Sequence, residues 1–82
     1  MFIVKIKATA TETNMNFKND VHNWIIGKDG YVHERIDEYH LVPWKRKYYA
    51  EKWIKEDREW QEEYDAKHNQ HFWDYEYEIV EF

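Results

Sequence analysis

The sequence predicts an α+β fold. A single domain over residues 1–82 packs one long helix on a three- to four-stranded, mostly antiparallel sheet, in the order β-β-β-α-β. Three observations carry this. Residues 2–8 alternate apolar and polar side chains, the period of a half-buried strand. Residues 44–67 repeat apolar residues at i, i+3 and i+4, the period of an amphipathic helix. Residues 72–82 return to alternation, with carboxylates between rings.

Each element follows in chain order. Phe2, Val4, Ile6 and Ala8 point one way, and Ile3, Lys5, Lys7 and Thr9 the other. Lysines inside this first strand mark it as a strand and not a signal peptide. Residues 9–20 are polar and aperiodic and read as a loop, with Met15 and Phe17 as its anchors. Val21 to Ile26 is rich in β-branched and aromatic residues and forms the second strand. Gly27-Lys28-Asp29-Gly30 is the turn of a hairpin, and Tyr31, Val32 and Ile36 belong to its return strand. Residues 37–43 are an extended connector, whose Pro43 suits the first turn of the helix.

The helix places Tyr49, Ala50, Trp53, Ile54, Trp60 and Tyr64 on its inner stripe, with Asp57 in the gap. Asp57 is expected to accept a hydrogen bond from a Trp N–H or a Tyr hydroxyl. Lys47 and Glu51 head a series of i, i+4 ion pairs on the outer side. Residues 68–71 are a turn. In the last strand Trp73, Tyr75, Tyr77 and Ile79 face inward and Asp74, Glu76 and Glu78 outward, with a bulge or fraying near Val80. Lysines on the first strand and carboxylates on the last predict that the two lie side by side.

Composition narrows the function classes. The chain has no cysteine and no serine, and no glycine-rich loop, so thiol and serine triads and phosphate-binding loops are excluded. No apolar run approaches the length of a membrane span. Aromatics make up 20% of the residues, more rings than so small a core hides, so some are expected at the surface, where Trp and Tyr favour interfaces.

Charge is polarised along the chain. Residues 1–50 carry 8 basic and 6 acidic groups, and residues 51–82 carry 4 basic and 11 acidic. Lys45, Arg46 and Lys47 stand at the start of the helix and Glu62, Glu63 and Asp65 near its end, against the helix dipole. With Glu59, Asp74, Glu76, Glu78 and Glu81 these acids are expected to form a field that attracts basic surfaces. A surface built to neutralise phosphates is one such partner.

Three further constellations were weighed. His68-x-x-His71, with Asp65 and Asp74, has the residue types of a zinc site but lies in a turn with no second ligand pair, so no metal or other cofactor is assigned. His33-Glu34-Arg35 contains a general base beside charged partners, and reads as a surface strand. Trp44-Lys45-Arg46-Lys47-Tyr48-Tyr49 interleaves bases and rings as a nucleic-acid contact does, although the acidic balance opposes direct nucleic-acid binding.

Lys45, Lys47, Ala50, Glu51 and Ile54 of the helix, followed by the closing Tyr77–Phe82 strand, resemble small accessory proteins of bacteriophages and mobile elements. The resemblance implies a protein that binds and blocks a host enzyme, including defence nucleases, as anti-CRISPR proteins do. The function expected is therefore a non-enzymatic, phage-type inhibitor in the cytoplasm of a bacterial host. Its acidic face would dock on the basic groove of a nucleic-acid-binding enzyme. Glu59, Glu62, Glu63, Asp74, Glu76 and Glu78 would act electrostatically, with Trp73 or Tyr75 as anchor. Both rings are also assigned inward, so only one of the two is expected to be accessible. The alternative is a small nucleic-acid-binding regulator using Lys45, Arg46 and Lys47. A homodimer through a strand edge or an aromatic patch is a further possibility for the assembly.

Overall fold

The computed structural model describes residues 1–17, 19–35 and 40–82. Its elements are β1 (Phe2–Ala10), β2 (Val21–Ile26), β3 (Val32–His33), α1 (Lys47–His68) and β4 (Trp73–Glu81). The four strands form one antiparallel sheet in the order β3-β2-β1-β4, with α1 across one face. The α+β, β-β-β-α-β architecture is thus present.

The terminal strands pair as the charge pattern predicts. Lys5 stands opposite Glu78 and Lys7 opposite Glu76, on the face away from the helix. The register runs unbroken from Phe2↔Glu81 to Ala10↔Trp73, so the bulge expected near Val80 is absent. Val80 instead stands opposite the fully buried Ile3. An apolar residue on that face keeps the alternation of backbone direction and breaks only the alternation of polarity.

The core lies between sheet and helix. Val4, Ile6, Ile26, Trp44 and Ala50 are buried there, with Trp24, Trp53, Ile54, Tyr77 and Ile79 packed around them. Toward the other end β1 contributes only Ala8 and Ala10, both buried. Their small side chains leave room above the central strand. The rings of β2 and β4 meet over it, His22 lying 5.4 Å from Trp73.

Several boundaries differ from the sequence reading. The loop begins at residue 11, because β1 runs to Ala10. Its anchor is Asn14, 7% exposed, whose side-chain N–H donates to the Phe72 carbonyl at 3.3 Å. Met15 is 82% exposed, and Phe17 makes only a half-exposed contact with Trp73. The return strand of the hairpin is two residues long; Ile36, together with residues 37–39 of the connector, lies outside the described residues.

The helix starts three residues later than the periodicity suggests. Trp44 is held in an extended bridge, exchanging backbone hydrogen bonds of 2.8 Å with Phe2. Trp44 in that bridge and Arg46, the N-cap with φ −125° and ψ 137°, are both extended, so the helix begins only at Lys47. Pro43 therefore precedes the bridge and does not lie in the first helical turn. At the other end Asn69 closes the helix in the left-handed conformation, and Lys67 and His68 complement the dipole there.

The inward row of α1 is also not the one expected. Ala50, Trp53 and Ile54 do face the sheet, but Tyr49, Trp60 and Tyr64 are exposed. Beyond Ile54 the half-buried positions are Asp57, Gln61 and Asp65. Trp60 and Tyr64 each precede one of these by one residue, which turns them about 100° around the helix.

His33 is a further correction. It is 5% exposed, and its Nε2 lies 2.7 Å from Asp29 Oδ2, so it is a buried, paired histidine and not part of a polar surface strand. Asp29 also accepts the Val42 N–H at 3.3 Å. Burial raises the Asp29 pKa, and its hydrogen bonds to His33 and the backbone outweigh that and hold it below the usual carboxylate value.

Candidate partner-docking site

Polar contacts join helix α1 to strand β4 and to the turn before it. The Tyr77 hydroxyl donates to Asp57 Oδ2 at 2.5 Å. Gln61, half-buried one turn on from Asp57, lines the same cleft as Tyr75. Asp65 Oδ2 receives His71 Nδ1–H at 2.7 Å. The spacing follows from geometry. Four residues of helix rise about 6 Å and two residues of strand about 6.8 Å, so Asp57 and Gln61 run alongside Tyr77 and Tyr75, while Asp65 reaches past Trp73 to His71 in the turn before β4. The bond to Asp57 is the one the sequence predicts; the tie from Asp65 to His71 is not, and its signal is the i, i+4 recurrence of Asp57, Gln61 and Asp65.

Burial pushes both tyrosine hydroxyls above their ordinary pKa, and the bond to Asp57 raises Tyr77 further. The His71 pKa is raised by hydrogen bonds to Asp65 and Asp74, the latter at 2.6 Å from Nε2. Two carboxylates on two ring nitrogens require both to be donors, which is the imidazolium form. The His71 carbonyl accepts the Thr11 and Thr13 hydroxyls at 2.5 and 2.6 Å. The turn after α1 is thus tied to the helix, to β4 and to the 11–20 loop at once.

These ties shape a cleft of about 400 Å³ between loop, helix and strand. Phe17 lines it from the loop, Trp60, Tyr64 and Asp65 from α1, and Trp73 and Tyr75 from β4. Trp60 is 57% exposed and stacks on Tyr64 at 5.3 Å, and Tyr64 stacks on His68 at 4.1 Å. Phe17 and Trp73 lie 5.8 Å apart on the other wall. Among the described residues the lining holds one carboxylate, Asp65, and neither lysine nor arginine. Aromatic faces and a carboxylate in a concave site attract a cation.

The acids predicted to act together are divided. Glu59 and Glu62 border a groove between α1 and β4, among Lys47, Lys55 and Arg58. Glu63 flanks the Trp60–Tyr64–His68 ladder beside Lys67. Asp74 is held by His71 and does not line the cleft. Glu76 and Glu78 lie on the far face of the sheet, opposite lysines. Of the predicted site residues, the cleft brings together Trp73 and Tyr75, with Asp74 linked to its Asp65 only through His71. The helix acids Glu59, Glu62 and Glu63 stand apart from Glu76 and Glu78, with the sheet between them. Trp60 and Tyr64 join the cleft although the sequence reading placed them in the core.

In the basic segment, Lys45, Arg46 and Lys47 are exposed and Lys47 lies 3.9 Å from Glu51. Trp44 is buried against Trp53, leaving only Tyr48 and Tyr49 as accessible rings beside the bases. His68 and His71 turn to different partners: His68 Nδ1–H donates to the Tyr64 carbonyl at 2.9 Å. No three His, Asp or Glu side chains among the described residues are grouped as metal ligands. Nor is any described helix long and apolar enough to cross a membrane. Neither a protein-family model, nor a curated protein, nor a solved structure matches the chain.

Proposed function

We propose that the chain is a non-enzymatic, protein-binding inhibitor that engages a basic partner through the cleft between Trp60 and Trp73. The observation that carries this reading is the lining itself: exposed rings around Asp65, with neither lysine nor arginine among the described lining residues. An arginine or lysine of the partner enters between the rings, its charge directed at Asp65. Such residues are dense on surfaces that hold nucleic acid, so a nucleic-acid-processing enzyme is the partner class that fits. A host defence nuclease, suggested by the resemblance to phage accessory proteins, belongs to that class. The docking face is narrower than the acidic field expected from the sequence, because Glu76 and Glu78 point away from the cleft.

The test is capture from bacterial lysate at low and high salt, with Trp60→Ala and Glu63→Lys variants beside the parent chain. The expected result is one nucleic-acid-processing enzyme, released by salt, retained at least about tenfold less by Trp60→Ala, and inhibited when the purified chain is added. Retention by Trp60→Ala equal to the parent contradicts the cleft. Captured nucleic acid in place of a protein contradicts the inhibitor reading and favours the Lys45–Lys47 segment.

A further inference from the structure

Strand β4 is nine residues long and forms an edge of the sheet. Its hydrogen-bonding phase is fixed at both ends. Phe82 N–H donates to the Met1 carbonyl, and Thr11 N–H to the Phe72 carbonyl, each at 3.0 Å. In an antiparallel ladder the bonded positions alternate. Even-numbered residues of β4 therefore bond β1, and Trp73, Tyr75, Tyr77, Ile79 and Glu81 direct their backbone N–H and C=O away from it. Among the described residues no strand takes up these groups. A long edge of this kind is a template for another strand.

The side chains along the edge decide which strand fits. On the face away from the helix, β4 presents Asp74, Glu76 and Glu78. On the helix side it presents Tyr77 and Ile79, which with Ile54 line an open groove. The complementary strand carries bases at alternate positions and apolar residues between them. The chain already contains that solution on the other flank of β4. In β1, Lys5 and Lys7 face Glu78 and Glu76, while Val4 and Ile6 face the core. A second copy of β4 fits poorly. Antiparallel self-pairing centred anywhere from Tyr75 to Glu78 sets carboxylate against carboxylate, which is destabilising.

We propose that the outer edge of β4 takes an extended basic segment of a partner protein as a fifth strand, with Lys or Arg at alternate positions. The segment bonds the backbone of Tyr75, Tyr77 and Ile79, and its bases lie over Glu76 and Glu78. This rests on the register of β4 and not on the cleft beside Trp60, so either can fail alone.

The experiment is residue-resolved amide hydrogen exchange on the intact chain. The probe is an eight-residue peptide of alternating valine and lysine, and the control replaces lysine with glutamate. With the lysine peptide at about ten times its Kd, exchange at Tyr75, Tyr77 and Ile79 slows about tenfold, because only the free fraction exchanges. The amides of Glu76 and Glu78, already bonded to β1, do not change. Equal protection by the glutamate peptide overturns the proposal, as does absence of protection by either peptide. Protection that grows with protein concentration and no peptide also overturns it, in favour of a second copy. Movement of the Trp60 indole signal without protection of those three amides overturns the edge and leaves the cleft standing.

Discussion

Tyr77 reaches across from β4 to give its hydroxyl proton to Asp57, in a setting where both are only half-exposed. Removing that oxygen leaves a partly buried carboxylate without its donor. Tyr77→Phe is therefore expected to cost about 1–3 kcal/mol of unfolding free energy, measured by denaturant titration. A second residue-scale prediction concerns His71. Its folded pKa is raised above the ordinary value of 6.5 by Asp65 and Asp74. The stability it contributes is then fully present below pH 6.5 and is lost as pH rises through the higher folded value. The melting temperature of the parent chain should exceed that of His71→Gln most at pH 6, and the gap should close by pH 9. A gap that widens with pH would show that the imidazolium is not the bonded form.

At the scale of elements, one-sided alternation made β1, β2 and β4 legible, because each buries one face and a shift by one residue would expose it. The helix was legible as a helix but not in its orientation. The i, i+3, i+4 rule finds apolar residues on a stripe, and cannot say where the sheet beneath them runs out of large side chains. Ala8 and Ala10 replace isoleucine on β1 opposite Tyr75 and Trp73, and Tyr75 and Tyr77 put hydroxyl-bearing rings against the helix. Asp57 takes the Tyr77 hydrogen bond, Gln61 lies half-buried beside Tyr75 in the cleft, and Trp60 and Tyr64 are turned outward. The coupling is testable as a double-mutant cycle between Asp57→Ala and Tyr77→Phe, where an interaction energy of about 0.5–3 kcal/mol is expected. The Asn14 anchor left no periodic trace, since a single buried polar residue in a polar loop looks like its neighbours. Gly27 shows the same limit. It was read as a turn residue, and the structure adds that a Cβ there would run into the Val42 carbonyl, which accepts the Lys28 N–H at 2.6 Å. Gly27→Ala must displace the backbone at 42, and is expected to lower stability by about 1–3 kcal/mol.

Across the whole molecule, about 37 Å in its longest dimension, charge and aromatic surface are distributed by the sheet. The sheet divides the acids that the linear sequence groups together, and the turn at His71 gathers rings that the sequence scatters over positions 17, 60, 64, 73 and 75. Net charge was legible without a structure; which acids share a surface was not, because that depends on pairing partners such as Lys5 and Lys7. The proposed site for a partner's cationic side chains is the Trp60–Trp73 cleft. The five tryptophans, at 24, 44, 53, 60 and 73, report on it directly, since each indole N–H gives its own signal in a two-dimensional nitrogen–proton spectrum. Titration with a short arginine-rich peptide is predicted to move the Trp60 and Trp73 signals and leave Trp44 and Trp53 in place. Unmoved Trp60 and Trp73 signals, or equal movement with a glutamate-rich peptide, would contradict this placement.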